Sequence, residues 1–174
     1  SKLFYLLGKD SIKIGCLSLY GVSQNSIRRI PENIKYNNSI KYIEIGSNIT
    51  SLGKGFSYLK NIEEILILNS KIKKMSDCFD GFDSLRKCNI SSQIKRIPKS
   101  FSALHNLNSL TIYSPNLKTI PKFLENCQNL TYLNVSETKY NQLDFEKLKK
   151  LKYLSIDLKE DIKSSLSKNQ PSEF

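Results

Sequence analysis

Apolar residues recur along this chain in one short figure: an apolar residue, two others, a second apolar residue, one other, and a third. The figure occurs as Ile14, Leu17, Leu19; Ile40, Ile43, Ile45; Ile62, Ile65, Ile67; Leu85, Cys88, Ile90; Leu107, Leu110, Ile112; Leu130, Leu133, Val135; and Leu151, Leu154, Ile156. Successive first members lie 26, 22, 23, 22, 23 and 21 residues apart. Residues 94–112 and 117–135 align without a gap and are identical at seven of nineteen positions. The last step of the figure, two residues wide, is strand spacing, which sends both side chains to the same face.

Between the figures the period changes. An apolar pair three residues apart follows each of the first six: Ile27 and Ile30, Ile49 and Leu52, Ile72 and Met75, Ile94 and Ile97, Leu117 and Ile120, Tyr140 and Leu143. Proline follows the pair at Pro31, Pro98 and Pro121. Its fixed φ and missing N–H suit a turn or a short 3-10 stretch. Each unit therefore reads as one short strand and one return segment. Such a unit cannot close a core alone, but stacked units cover each other's apolar rows. The expected product is one parallel sheet with the bulkier return segments behind it, curved because the two layers differ in width.

The period and the figure together resemble the leucine-rich repeat family over about residues 14–158. The Ile-Pro units are similar to its short class of 22–23 residues, written LxxLxLxxNxLxxIPxxhxxLxx. The stretches ITSLGKGFSYLKNIEEI (49–65) and FLENCQNLTYL (123–133) resemble the BspA-like class of bacterial and protist surfaces. The resemblance implies an α/β solenoid with a curved parallel β-sheet on its concave side and turns and short helices on its convex side. It also implies a non-enzymatic protein-binding module. One departure stands out. The Asn that the family places in the turn after the strand is present only at Asn48, with Ser70, Gln93, Pro115 and Thr138 at the equivalent places. Irregular turns are expected there, with backbone groups met by other partners.

The ends are expected to close the stack, since an open strand edge invites pairing with other chains. Leu3, Phe4, Leu6 and Leu7 of residues 1–13 suit an N-terminal cover. Asp157 and Glu160 have capping-box spacing, and Leu158, Ile162 and Leu166 share a helical face, so a cap helix is expected over residues 158–167. Residues 159–174 as a whole read as cap plus tail, with 168–174 unstructured. No stretch reaches the roughly 18 consecutive apolar residues of a membrane span. The opening SKLFYLLGKD is too short for a signal peptide and lacks a cleavage site. The sequence leaves the compartment open between cytoplasmic and secreted or cell-surface.

Candidate chemistry is sparse. Four Cys and one His, His105, occur without CxxC or any clustered metal-ligand spacing. Cys88 takes a core place, Cys127 a return-segment place, Cys16 a strand and Cys78 a return segment; structural thiols are the expected reading. No nucleophile–base motif, glycine-rich phosphate loop or paired-carboxylate motif is present. Neither an enzyme, a metal, a cofactor nor a small-molecule substrate is expected.

Charge and aromatic residues carry the functional reading. The net charge is +11. Counting each figure's first residue as place one, the outward sheet columns at places three, five and seven are mostly neutral. Arg28, Arg29, Lys73, Lys74, Lys95, Arg96 and Lys118 instead stand inside the later apolar pairs, where stacking gathers them along one edge. That edge either solvates a thin protein or meets an anionic surface such as acidic lipid, nucleic acid or acidic protein. The outward columns bring Tyr20, Tyr42, Glu44, Leu66, Leu68, Tyr113 and Tyr132 to the concave face. Tyr buries area at low entropic cost and keeps a polar handle. Leu68, flanked in its column by Gly46 and Ser91, is expected to stand beside a dent. The first expectation is a protein partner on this face. Alternatives are an anionic surface at the basic edge, or a role as targeting domain within a larger protein.

Overall fold

The computed structural model describes residues 14–20, 27–138 and 144–158. Seven strands form one open sheet in sequence order, every neighbouring pair parallel: β1 (Cys16–Leu19), β2 (Tyr42–Ile45), β3 (Glu64–Ile67), β4 (Lys87–Ser91), β5 (Ser109–Tyr113), β6 (Tyr132–Thr138) and β7 (Tyr153–Leu158). The register pairs equal places throughout, as in Leu17↔Ile43, Ile43↔Ile65 and Leu110↔Leu133. It slips only between Val135 and Thr138, where β6 meets β7.

A repeated backbone motif ties the strands together. The carbonyl at place two of one unit accepts both the place-two and place-three N–H of the next. Gly15 O takes the N–H groups of Lys41 and Tyr42, Lys41 O those of Glu63 and Glu64, and the series runs on to Thr131 O with Lys152 and Tyr153. The place is unmarked by residue type because only main chain takes part.

Side chains at places one, four and six point to the return segments and are buried in the five middle units. Behind them lie a short α-helix (Gly53–Phe56) and 3-10 turns at Glu32–Tyr36, Lys99–Ala103, Lys122–Asn126 and Phe145–Lys147. Pro31, Pro98 and Pro121 each stand immediately before a 3-10 turn with φ of −77, −60 and −78°, as the Ile-Pro pattern predicts. Phe56, Phe79, Phe82 and Phe101 fill the space between sheet and turns, with successive ring centroids 4.5–5.5 Å apart. In the second unit, one of those without proline, Gly53 takes the proline place at φ +70°, and Gly55 packs so closely under Pro31 that a Cβ would come 2.0 Å from its carbonyl oxygen.

Two expectations about side chains are corrected. Leu154, at the core place of the seventh figure, is 44% exposed, because no described unit stacks on its outer side. Leu158, expected to open a cap helix, is the last residue of β7. The rest of that helix, the cover over residues 1–13, and the pair Tyr140 and Leu143 lie outside the described residues.

The turns after the strands solve the missing-Asn problem differently in each unit. Ser114 Oγ donates to Ile94 O at 2.7 Å, one place earlier in its unit than the family Asn. Ser70 and Ser92 are buried there with unpartnered hydroxyls, while their N–H groups donate to Ser91 O and Tyr113 O of the following units. A second ladder, which the sequence pattern did not reveal, runs just ahead of the strands. The amides of Asn61, Asn106 and Asn129 donate to Asn38 O, Asp83 O and His105 O at 2.7, 2.9 and 2.8 Å. The signal was available: each of these Asn immediately precedes the first member of a figure.

Candidate functional site

The outward sheet face carries three aligned columns. Place three reads Cys16, Tyr42, Glu64, Lys87, Ser109, Tyr132, Tyr153; place five reads Ser18, Glu44, Leu66, Asn89, Thr111, Asn134, Ser155. In the seventh-place column Ser91 pairs with Tyr113. The expected anchors thus share one face, but they fall into two groups. Tyr20, Tyr42, Glu44, Leu66 and Leu68 gather around β1–β3. Tyr113 and Tyr132 stand on β5 and β6, where Tyr132 stacks on Tyr153 at 4.4 Å with rings 5° from parallel. Tyr153, 48% exposed, joins this second group from place three of the same face, where alternation along the strand puts it. Polar Lys87, Asn89 and Ser91 of β4 lie between the groups.

The anchors differ in how much surface they offer. Tyr20 and Tyr113 are about half exposed, at 51 and 49%. Tyr42, Tyr132, Leu66 and Leu68 are half-buried. The leucines present less apolar area than alternation alone implies, because each is flanked along its column by neighbouring strands. The dent expected on the Gly46 side of Leu68 is occupied. Tyr20 packs on Gly46 so tightly that a Cβ there would lie 2.9 Å from Tyr20 Cα and 3.1 Å from its ring. Glycine is therefore required to seat that ring.

Electrostatics sharpen the first group. Ser18 Oγ donates to Glu44 Oε2 at 2.6 Å, which holds the carboxylate in place. Burial, followed by the nearby Glu44 and Glu64 carboxylates and Cys16, raises the Tyr42 pKa. Tyr42 therefore remains a neutral phenol able to donate a hydrogen bond. Lys87 and Glu64 form a loose pair at 4.0 Å.

Arg28, Arg29, Lys73, Lys74, Lys95, Arg96 and Lys118 are all exposed. Thr50 and Ser51, whose N–H groups donate to Arg28 O, interrupt the row. The edge is therefore an arginine pair and a separate, larger cluster rather than one continuous column. The thiols show no paired chemistry among the described residues: all four Cys are free. Burial pushes Cys88 and Cys127 up to about 12 and is the largest cause of raising Cys78 to about 11. Cys16 is exposed. His105 is an exposed turn residue whose Nδ1 lies 3.4 Å from Asn126 O. Among the described residues no three His, Cys, Asp or Glu side chains gather to hold a metal ion, and no helix is long and apolar enough to cross a membrane.

Seven in-register parallel strands with turn-and-short-helix returns define a leucine-rich repeat solenoid. A family model described as BspA type leucine-rich repeat region matches residues 28–155 in six copies, and the chain belongs to that family. Leucine-rich repeat domains commonly mediate protein–protein interactions and are generally non-enzymatic binding modules. Among solved structures, the chain is similar to an internalin (inlF) from Listeria monocytogenes, at 22% identity and TM-score 0.63, covering 92% of this chain and 48% of the internalin. It is also similar to the plant peptide hormone receptor RGFR1 in complex with RGF2, at 17% identity and TM-score 0.56, covering 84% of this chain and 26% of the receptor. The chain thus spans about half the length of the one and a quarter of the other. No curated protein sequence matches it.

Proposed function

We propose that the outward sheet face is the docking surface for a protein partner, with Tyr42, Leu66, Leu68, Tyr113 and Tyr132 as its anchors. The supporting observation is their arrangement. Tyr20 and Tyr113 stand half exposed on the same face as half-buried Leu66 and Leu68. The structure's own core does not use these side chains. Partner contacts would desolvate them, and buried aromatic and aliphatic anchors carry most of the energy of protein interfaces. Glu44, fixed by Ser18, and the neutral Tyr42 phenol supply an acceptor and a donor at the margin. RGFR1, with the same fold, is a peptide hormone receptor solved with RGF2, and a polypeptide ligand is the class proposed here.

The test is a quantitative binding assay with a partner recovered from the source cells. Leu68→Arg and Tyr113→Ala are each expected to weaken binding by about 2 kcal/mol or more while leaving the fold intact. Reversing Lys74 and Arg96 to Glu should alter mainly the on-rate and salt dependence. Abolished binding on charge reversal, with Leu68→Arg still binding normally, overturns the proposal.

A further inference from the structure

The larger cationic cluster surrounds a depression of about 550 Å³ on the edge of the stack, away from the outward sheet face. Its cations are Lys73, Lys74, Lys95, Arg96 and Lys99, contributed by consecutive units. Its remaining walls are the apolar Met75, Ile97, Pro98 and Phe123 and the acidic Asp77. The core opens slightly at this point: Met75 and Ile97, each 6% exposed, are the most exposed of the buried apolar residues. Phe123 is half-buried against the core beside them.

Among the described residues none of the five cations has an ion-pair partner within 4 Å. The one carboxylate in the wall, Asp77, is already engaged. Its Oδ1 accepts the Ser100 N–H at 2.6 Å, while Ser100 Oγ accepts the Phe79 N–H at 3.1 Å. Hydrogen bonds from Ser100 are the main cause of its lowered pKa, and Lys99 alone among the five cations adds to it. Asp77 therefore serves the turn and leaves the rest of the rim uncompensated.

We propose that this depression is a second binding site, which takes an acidic peptide segment with one apolar side chain seated on the Met75–Ile97–Pro98–Phe123 floor. Charge complementarity selects the acid: five uncompensated cations on a small rim favour a run of carboxylates. The floor selects the peptide. A bilayer meets protruding apolar groups, whereas this apolar surface is recessed behind the cations. A nucleic-acid strand binds through phosphates and through stacking of successive bases on several aromatic rings, and Phe123 is the only ring here. An acidic peptide satisfies both features, with carboxylates at the rim and one aliphatic or aromatic side chain in the recess. The site stands apart from the outward sheet face, so it does not depend on the preceding reading.

Fluorescence anisotropy with a labelled acidic peptide bearing one central leucine, and with its glycine twin, tests the proposal. Seating one leucine should tighten binding about tenfold or more over the twin. Phe123→Ser should narrow that difference. The double change Lys74→Glu with Arg96→Glu should weaken both peptides and flatten their salt dependence, with circular dichroism confirming the fold. Leu68→Arg should leave both affinities unchanged, which separates this site from the sheet face. Equal binding of the two peptides overturns the proposal. So does tighter binding of phosphatidylserine vesicles or of a single-stranded oligothymidylate than of the leucine peptide.

Discussion

Leu110 and Leu154 hold the same place in their units, three residues after the first member of the figure, yet one is fully buried and the other 44% exposed. The fifth unit has a strand on each side, β4 and β6, and a return segment packed behind it. The seventh has a described neighbour on one side only. In a solenoid each unit is stable only through its neighbours, so an identical pattern contributes differently at the middle and at the end. The end is fastened by polar contacts as well. Glu125, in the turn of the fifth unit, accepts the Asp144 N–H at 3.1 Å and the Lys147 ammonium at 3.0 Å, both from the return segment of the sixth. Lys150 Nζ adds a bond to Asn129 Oδ1 at 2.6 Å. The middle is a hydrophobic stack, whereas the return segment of the sixth unit, near the end, is held by hydrogen bonds and charge as well.

The largest expected effect is at the middle. Leu110→Ala should cost about 2–5 kcal/mol of unfolding free energy, by lost transfer energy and the cavity left behind, measured by urea denaturation. Leu154→Ala should cost about 1 kcal/mol, the ordinary scale for a partly exposed position. Equal losses would show that the middle and the end of the stack are packed alike, and would break the comparison.

The polar fastening predicts a pH dependence confined to the end. The Asp144 N–H, then Lys147, lowers the Glu125 pKa, and Glu125 in turn raises that of Lys147. A carboxylate whose pKa is depressed on folding adds stability above its unfolded value. That contribution is lost as pH falls through the folded value. The Lys147 contribution is present below its unfolded pKa and is lost only as pH rises through the raised folded one. Between neutral pH and the acid limb, therefore, only the Glu125 half is lost. Hydrogen exchange of residues 144–156 should speed up relative to β3–β5 as the pH falls through the carboxylate range, after correction for intrinsic exchange. Glu125→Gln should remove most of that differential. An unchanged acid response in the variant would assign the fastening to other groups.

The smallest expected effect is at the basic edge. Lys118→Ala, at an exposed place without an ion pair within 4 Å among the described residues, should shift stability by no more than about 0.5 kcal/mol. A larger loss would mean that this edge packs as well as solvates.

Strand positions, their parallel order and the inward or outward sense of each middle-unit side chain were legible in the sequence. They follow from one period and from alternation, which are properties of the chain itself. The Pro-initiated turns were legible for a similar reason, since Pro31, Pro98 and Pro121 carry their φ with them. Of the candidate site, the sharing of one face by Tyr42, Leu66, Leu68, Tyr113 and Tyr132 was legible, because register copies place onto place. What only the tertiary structure decided concerns neighbours. Tyr20 fills the space over Gly46, Tyr153 backs Tyr132, Ser114 takes the turn role of the family Asn, and Leu154 lacks a described outer partner. The depression at the edge is of the same kind, since Met75, Pro98 and Phe123 come from different units and meet only in the stack. A period fixes the direction in which a side chain leaves the backbone. The size and polarity of whatever arrives beside it from the next unit decide how much of it water still reaches.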